Sequence, residues 1–239
     1  MKPSQPYQPF LLRLLHNFNG LLVIGAILTA FWTYNTYDGR WGRLPLPLYG
    51  AIEGIHGTFG LWVLLLFPAF AYYAFHRGSQ RLLQPNSLVQ LTQINKPIGW
   101  YSLHRLTNTI AVLALTFALF SGKMMDETWL PMGELDHYWY YAHLISWLTL
   151  VISIALHVLM SVRVGGAPLL LSIWRWSYRP ADSPTHWQKH LQTWWGSVQG
   201  RRSQALNLLQ NRSQNQLLWW IEMLVWLSLV AAWVLPLFK

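Results

Sequence analysis

The stretch YYAHLISWLTLVISIALHVLM, residues 140–160, carries two imidazoles, His143 and His157, in an otherwise apolar run. Fourteen steps bring an α-helix back to within about 40° of its starting azimuth, so both rings leave one face, ~21 Å apart along the axis. A histidine in such a run can line a cavity, hydrogen-bond a carbonyl or bind a metal, and ionisable groups within membrane-like segments default to functional hypotheses. Other histidines standing opposite at the same two depths would select the metal.

The elements that must position these rings follow from the apolar blocks. The chain has 239 residues, 53% of them hydrophobic and only 10% charged, and the apolar residues are concentrated at 21–34, 60–75, 109–120, 144–160 and 217–238. A helix needs about 20 mostly apolar residues to cross a bilayer, and each block reaches that length with its flanks. Five transmembrane helices are predicted, over about 9–34, 49–75, 100–122, 137–164 and 216–239. The fold class is therefore all-α, an integral membrane four-helix bundle with an extra C-terminal transmembrane helix. Residues 1–165 form the core unit, 166–215 an interfacial amphipathic segment on the cytoplasmic side, and 216–239 the last span. The first block is too long for a secretory signal and lacks a small-x-small cleavage site.

The net charge of +9 is distributed by topology. With the N-terminus cytoplasmic, thirteen of the seventeen Lys and Arg fall on that side against one acid, Asp182, whereas Asp38, Asp126, Glu127, Glu134 and Asp136 lie outside. This is the positive-inside pattern of a multi-pass protein of a bacterial-type inner or other energy-transducing membrane. It reports contact with anionic lipid and excludes nucleic acid as the reason for the basic excess. Zero cysteine excludes thiolate-bound iron–sulfur clusters, disulfides and covalently attached c-type haem.

Sorted by depth, the histidines form two tiers. His56 on the second helix matches His143 near the outer side, and His16 on the first matches His157 near the inner side. Two imidazole pairs about 20 Å apart, each bridging two helices, suit two b-type haems stacked across the membrane, because low-spin haem iron takes an axial imidazole on each side of the ring. A porphyrin needs space, and Gly50, Gly54, Gly57 and Gly60 surround His56, with Gly20 and Gly25 beyond His16. At the outer level His137 competes only from the start of the fourth helix. At the inner level His104 is a rival to His16, whereas His76 falls about 200° around the second helix from His56 and reads as interfacial. Glu53, one turn before His56, reads as hydrated. His186 and His190 have metal-like spacing without an apparent third ligand and read as interfacial.

With one histidine on the first helix, one on the second and two on the fourth separated by thirteen residues, the sequence resembles the cytochrome b, or gamma, subunit of membrane-bound formate dehydrogenases and nickel–iron hydrogenases. His16, His56, His143 and His157 match that pattern position by position, and HVLMSVRVGGAPLLLSIWRW with THWQKH is similar to the family's cytoplasmic tail, over roughly residues 8–192. The resemblance implies electron transfer between an outer-face redox partner, either a subunit or a soluble carrier, and a quinone near the inner haem. It also places quinone contacts in INKPIGWYSLHRLTN, making Asn95, His104, Arg105 and Asn108 the candidates. The fifth helix, with Glu222 and Trp219, Trp220, Trp226 and Trp233, has no counterpart in that pattern; subunit or lipid contact is expected of it. Two other functions are compatible with the same residues: a stand-alone transmembrane haem b reductase, and a haem-free membrane scaffold or assembly protein.

Overall fold

The computed structural model describes residues 6–125, 135–187 and 215–238, with the side chain of residue 181 left aside. Five long helices are present: α1 (Phe10–Tyr37), α2 (Ile52–His76), α3 (Pro97–Met124), α4 (Tyr138–Ser172) and α5 (Gln216–Val234), the last continuing as a 3-10 turn over Leu235–Phe238. All five have the length and apolarity of a membrane span. A short helix, Ser87–Leu91, lies in the loop between α2 and α3. Among the described residues there is no strand.

Each span begins or ends where local chemistry dictates. Pro97 opens α3 at a position where its missing N–H costs nothing. The His137 side chain accepts from Trp139 N and so caps α4, placing this histidine at the helix boundary rather than in a tier. The fourth helix was expected to stop near residue 164. The backbone does break there: Gly166 takes φ 66° and ψ −174°, a left-handed conformation open to glycine, and one further helical turn leads into the interfacial segment. Hydroxyls within the spans bond back to their own helix, as Thr116 Oγ1 does to Val112 O at 2.8 Å, so few polar groups are left for lipid to solvate.

The helices pack in two antiparallel pairs. α1 runs along α2 and α3 along α4, while α5 lies against α3 and more lightly against α2. Val63, Leu64, Phe67 and Ala71 of α2 form a dry core with Val112 and Leu119 of α3 and with Val225, Leu229 and Ala232 of α5. The fifth span thus buries one stripe inside the bundle, and Trp220, Leu227 and Val230 expose its other side. Its Glu222 carboxylate stands 3.6 Å from His76 Nδ1 on α2, which accounts for both of these polar residues without a cofactor.

Side chains tie the pairs together at both ends. At the end carrying the α1–α2 loop, called outer here after the topology expected from the charges, Arg40 reaches Asp38 at 2.8 Å, Asp136 at 3.1 Å and the Tyr141 hydroxyl at 2.7 Å, fastening the first loop to the start of α4. The Tyr141 hydroxyl and Arg40 hold the Asp136 carboxyl below the usual carboxylate range. At the inner end Asn17 Nδ2 donates to Ile173 O at 2.9 Å, and the Tyr7 hydroxyl donates to Asp182 at 2.6 Å. The segment after α4 is thereby bound to the start of α1. Between these two clamps Trp147 Nε1 of α4 donates to Ile27 O of α1 at 3.3 Å, and a cavity that reaches His56 and His143 opens between the pairs.

Candidate functional site

In the outer tier, His56 of α2 and His143 of α4 face one another with ring centroids 6.0 Å apart. His56 Nδ1 lies 3.1 Å from Ala26 O and 3.3 Å from Thr29 Oγ1. A carbonyl can only accept, so Nδ1 carries the proton. His143 Nδ1 lies 3.1 Å from Ser121 Oγ, whose own proton goes to Phe117 O at 2.6 Å; this hydroxyl too is left to accept. Both rings are therefore held with Nε2 unprotonated, the form that binds a metal.

The inner tier brings three histidines together. His16 and His157 have centroids 6.0 Å apart, and His104 stands 5.4 Å from His157 on another side. Asn108 Oδ1 accepts from His157 Nδ1 at 2.7 Å while its Nδ2 donates to Arg81 O at 2.9 Å, which fixes the amide orientation and, with it, the His157 tautomer. His104 Nε2 lies 3.4 Å from Ser161 Oγ, and that hydroxyl donates to His157 O at 2.8 Å. The Nε2 of His104 is thus turned towards a hydroxyl, whereas the buried His16 Nδ1 has no hydrogen-bond partner.

Haem b places two demands on such a site, opposed imidazoles and room for the macrocycle. Two imidazoles bound through Nε2 on opposite sides of one metal, with bonds of about 2 Å, have ring centroids about 6 Å apart. Both tiers meet that spacing. The two rings are inclined by 33° in the His16–His157 couple and by 69° in the His56–His143 couple. A cavity of about 1020 Å³ opens beside His56 and His143 between the two helix pairs. Gly54, Gly57 and Gly60 line it, and a Cβ built on any of them meets nothing within 4 Å. Among the described residues no three of His, Cys, Asp and Glu converge as a metal cluster. Haem needs none, since the porphyrin supplies four of the iron's six donors. The residues present fit the group: the outer tier meets both demands, and the inner tier meets the spacing.

The other sequence candidates separate clearly. Gly50 lies in the turn before α2, where its carbonyl accepts from the Tyr37 hydroxyl, and Gly25 is a helix-crossing point against the Phe59 ring. Arg105 Nε donates to Gln80 O at 3.0 Å, anchoring the loop after α2, and Asn95 is exposed in the turn before α3. Glu53 lines the outer cavity. His186 is exposed and bonded to Ser183 at 2.9 Å; its proposed neighbour His190 lies outside the described residues. Residues not singled out from the sequence are Thr29, Ser121, Gly122 and Ser161. A Cβ on Gly122 would stand 3.1 Å from His143 Cε1, so this glycine admits the ring to its place.

The model of the family described as prokaryotic cytochrome b561 matches residues 7–169, the stretch that carries all four helices and both tiers. The chain belongs to the prokaryotic cytochrome b561 family. No curated protein and no solved structure matches it. The protein is accordingly a multi-pass membrane cytochrome b of electron transfer, and membership implies haem b as its prosthetic group, in line with the expectation from the histidines. A haem-free scaffold is set aside. The fifth helix and the residues after 169 lie beyond the family match.

Proposed function

We propose that the protein holds two haems b, one between His56 and His143 and one between His16 and His157, and relays electrons across the bilayer between an outer-face redox partner and a quinone at the inner tier. The N-terminus is on the cytoplasmic side in this reading. The observation that carries it is the pair of imidazole couples with one and the same 6.0 Å separation, at two depths of one bundle. About 21 Å of α4 separates the tiers. His16 is preferred to His104 as the inner ligand because His104 Nε2 faces Ser161.

When bound, haem b supplies one-electron ferric–ferrous chemistry at a potential set by its ligands and surroundings. The chain's own part is to hold that group and shield it from water. Thr29 and Ala26 O orient His56, Ser121 orients His143 and Asn108 orients His157, each through Nδ1. Such partners raise ligand basicity and fix ring direction. Quinone binding is assigned to the inner tier because His104, a third imidazole beside the couple, stands there, a group that can hydrogen-bond a quinone oxygen or pass it a proton, whereas Asn108 is engaged by His157 and Arg81 O. Arg105 and Asn95 play a lesser part in this assignment, the first occupied with Gln80 and the second exposed.

The test is quinol-driven reduction of the purified protein in lipid vesicles, followed by haem absorbance. The wild type should be reduced by a short-chain quinol. His157→Ala should lose that reaction while dithionite still reduces the remaining haem. Full quinol reduction in His157→Ala would overturn the inner-tier assignment.

A further inference from the structure

Away from both tiers, a second cavity of about 420 Å³ lies at the end of the bundle taken above as cytoplasmic, where the start of α1 meets the segment leaving α4. It is lined by Tyr7, Gln8, Arg13, Ser177, Arg175 and Arg179 among others, and by no histidine. Arg13 is the unusual member. It is 2% exposed, and among the described residues it forms no ion pair with a carboxylate. Its Nη1 donates to Arg175 O and to Ser177 O, but its Nε and Nη2 are buried without a hydrogen-bond partner.

An arginine stays ionised in proteins, and a buried charge is costly unless it is paired and hydrogen-bonded. The Tyr7 and Phe10 rings, 5.4 and 5.3 Å from the guanidinium carbon, meet part of that charge. They offer no acceptor to the two idle N–H groups. The nearby acid, Asp182, is engaged by the Tyr7 hydroxyl and by Phe10 N. Arg179 stacks on Tyr7 at 4.2 Å, and Arg81 reaches Gln8 at 2.7 Å, so the surroundings are cationic on balance. Nε and Nη2 are the neighbouring donors of the guanidinium fork that grips two oxygens of one phosphate.

We propose that this cavity binds a phosphate-bearing anion, with the Arg13 fork as its main contact and Arg175 and Arg179 completing the cationic lining. The source is the headgroup of an anionic membrane phospholipid. Trp174 and Trp176, 53% and 63% exposed beside the cavity, are the side chains that settle at the membrane–water boundary. Basic pockets on the cytoplasmic side of helix bundles bind such headgroups. The bound phosphate would lock α1 to the segment after Gly166, adding to the Asn17 and Asp182 contacts already there. None of this depends on the two-haem assignment.

The experiment is thermal melting of the full-length protein in detergent, titrated separately with short-chain phosphatidylglycerol, short-chain phosphatidylcholine and inorganic phosphate. Phosphatidylglycerol should raise Tm saturably, phosphatidylcholine should not, and inorganic phosphate should act only at far higher concentration. A rise with inorganic phosphate at matching concentration would keep the anion site and assign it to the free ion. Arg13→Gln should weaken the phosphatidylglycerol response about tenfold, the scale of losing charge-assisted hydrogen bonds, while the haem spectrum stays unchanged. Because Arg13 also ties down Arg175 and Ser177, Arg13→Lys, which keeps the charge without the fork, and Arg179→Gln are measured beside it. The proposal is overturned by a wild type that ignores both anions, by equal responses to the two lipids, or by variants whose affinity is unchanged.

Discussion

The two tiers of histidines share a spacing and differ in what surrounds them. Around the outer pair, Nδ1 groups are held by a backbone carbonyl and by hydroxyls, and three glycines help line a cavity of about 1020 Å³. Around the inner pair, an amide holds His157, a third imidazole stands close by and a hydroxyl links the two. The outer tier opens on a large cavity whose lining includes Glu53, Lys123 and Tyr140 as well as the glycines. The inner tier instead crowds a third imidazole against the couple, the feature on which the proposed quinone site rests.

The largest effects should come from the ligands. His143→Ala should remove the outer haem and His157→Ala the inner one, each leaving the other in place, as read by the haem-to-protein ratio and the redox titration of what remains. Loss of both haems from either variant, in folded protein, would erase the distinction between the tiers. Next comes space. Gly57→Leu places a side chain in the outer slot, and Gly122→Val drives one into the His143 ring; both should deplete the outer haem and spare the inner one, a selectivity that difference spectra can resolve.

Smaller effects should follow from the groups behind the ligands. Removing a ligand's hydrogen-bond partner typically costs 10–100-fold in metal affinity or activity. Asn108→Ala should therefore shift the inner midpoint potential and slow quinol oxidation, with Asn108→Asp, which keeps the acceptor, recovering most of the loss. Ser121→Ala should shift the outer potential and leave quinol oxidation alone. If Asn108→Ala moved the outer potential instead, the pairing of α3 with the two tiers would be wrong. The smallest effect belongs to the outer clamp. Asp136 has its pKa lowered by Tyr141 and Arg40, so its stabilisation is present above the ordinary carboxylate pKa and fades as pH falls through the lowered value. Tm measured from neutral to acid pH should show a shallow decline that Asp136→Asn flattens.

Much of this was legible in the sequence, for reasons that are themselves physical. The spans follow from apolar length, and the depth of each histidine follows from span direction and a fixed rise per residue. His56 with His143 and His16 with His157 could be paired on that basis, and the structure brings both couples to one distance. The role of α3 in orienting the ligand imidazoles was not legible, although Asn108 was singled out for a quinone contact. Its Asn108 and Ser121 serve the inner and outer tiers, thirteen residues apart, which matches the tiers in depth but leaves the two side chains about 140° apart around an ideal helix. No single-face pattern marks them. Gly122 looked like the end of a span, because only the position of a neighbouring ring shows why a side chain is excluded there. Arg13 counted among the positive-inside residues, and its burial depends on a segment about 160 residues further along the chain. Contacts of that sequence separation leave no local signature.

The central claim is that two separate imidazole couples each hold an iron porphyrin. A pyridine-haemochrome count on protein purified with its haem tests it most directly. The account predicts two haems b per chain. A count of one, or of none in folded protein, contradicts it.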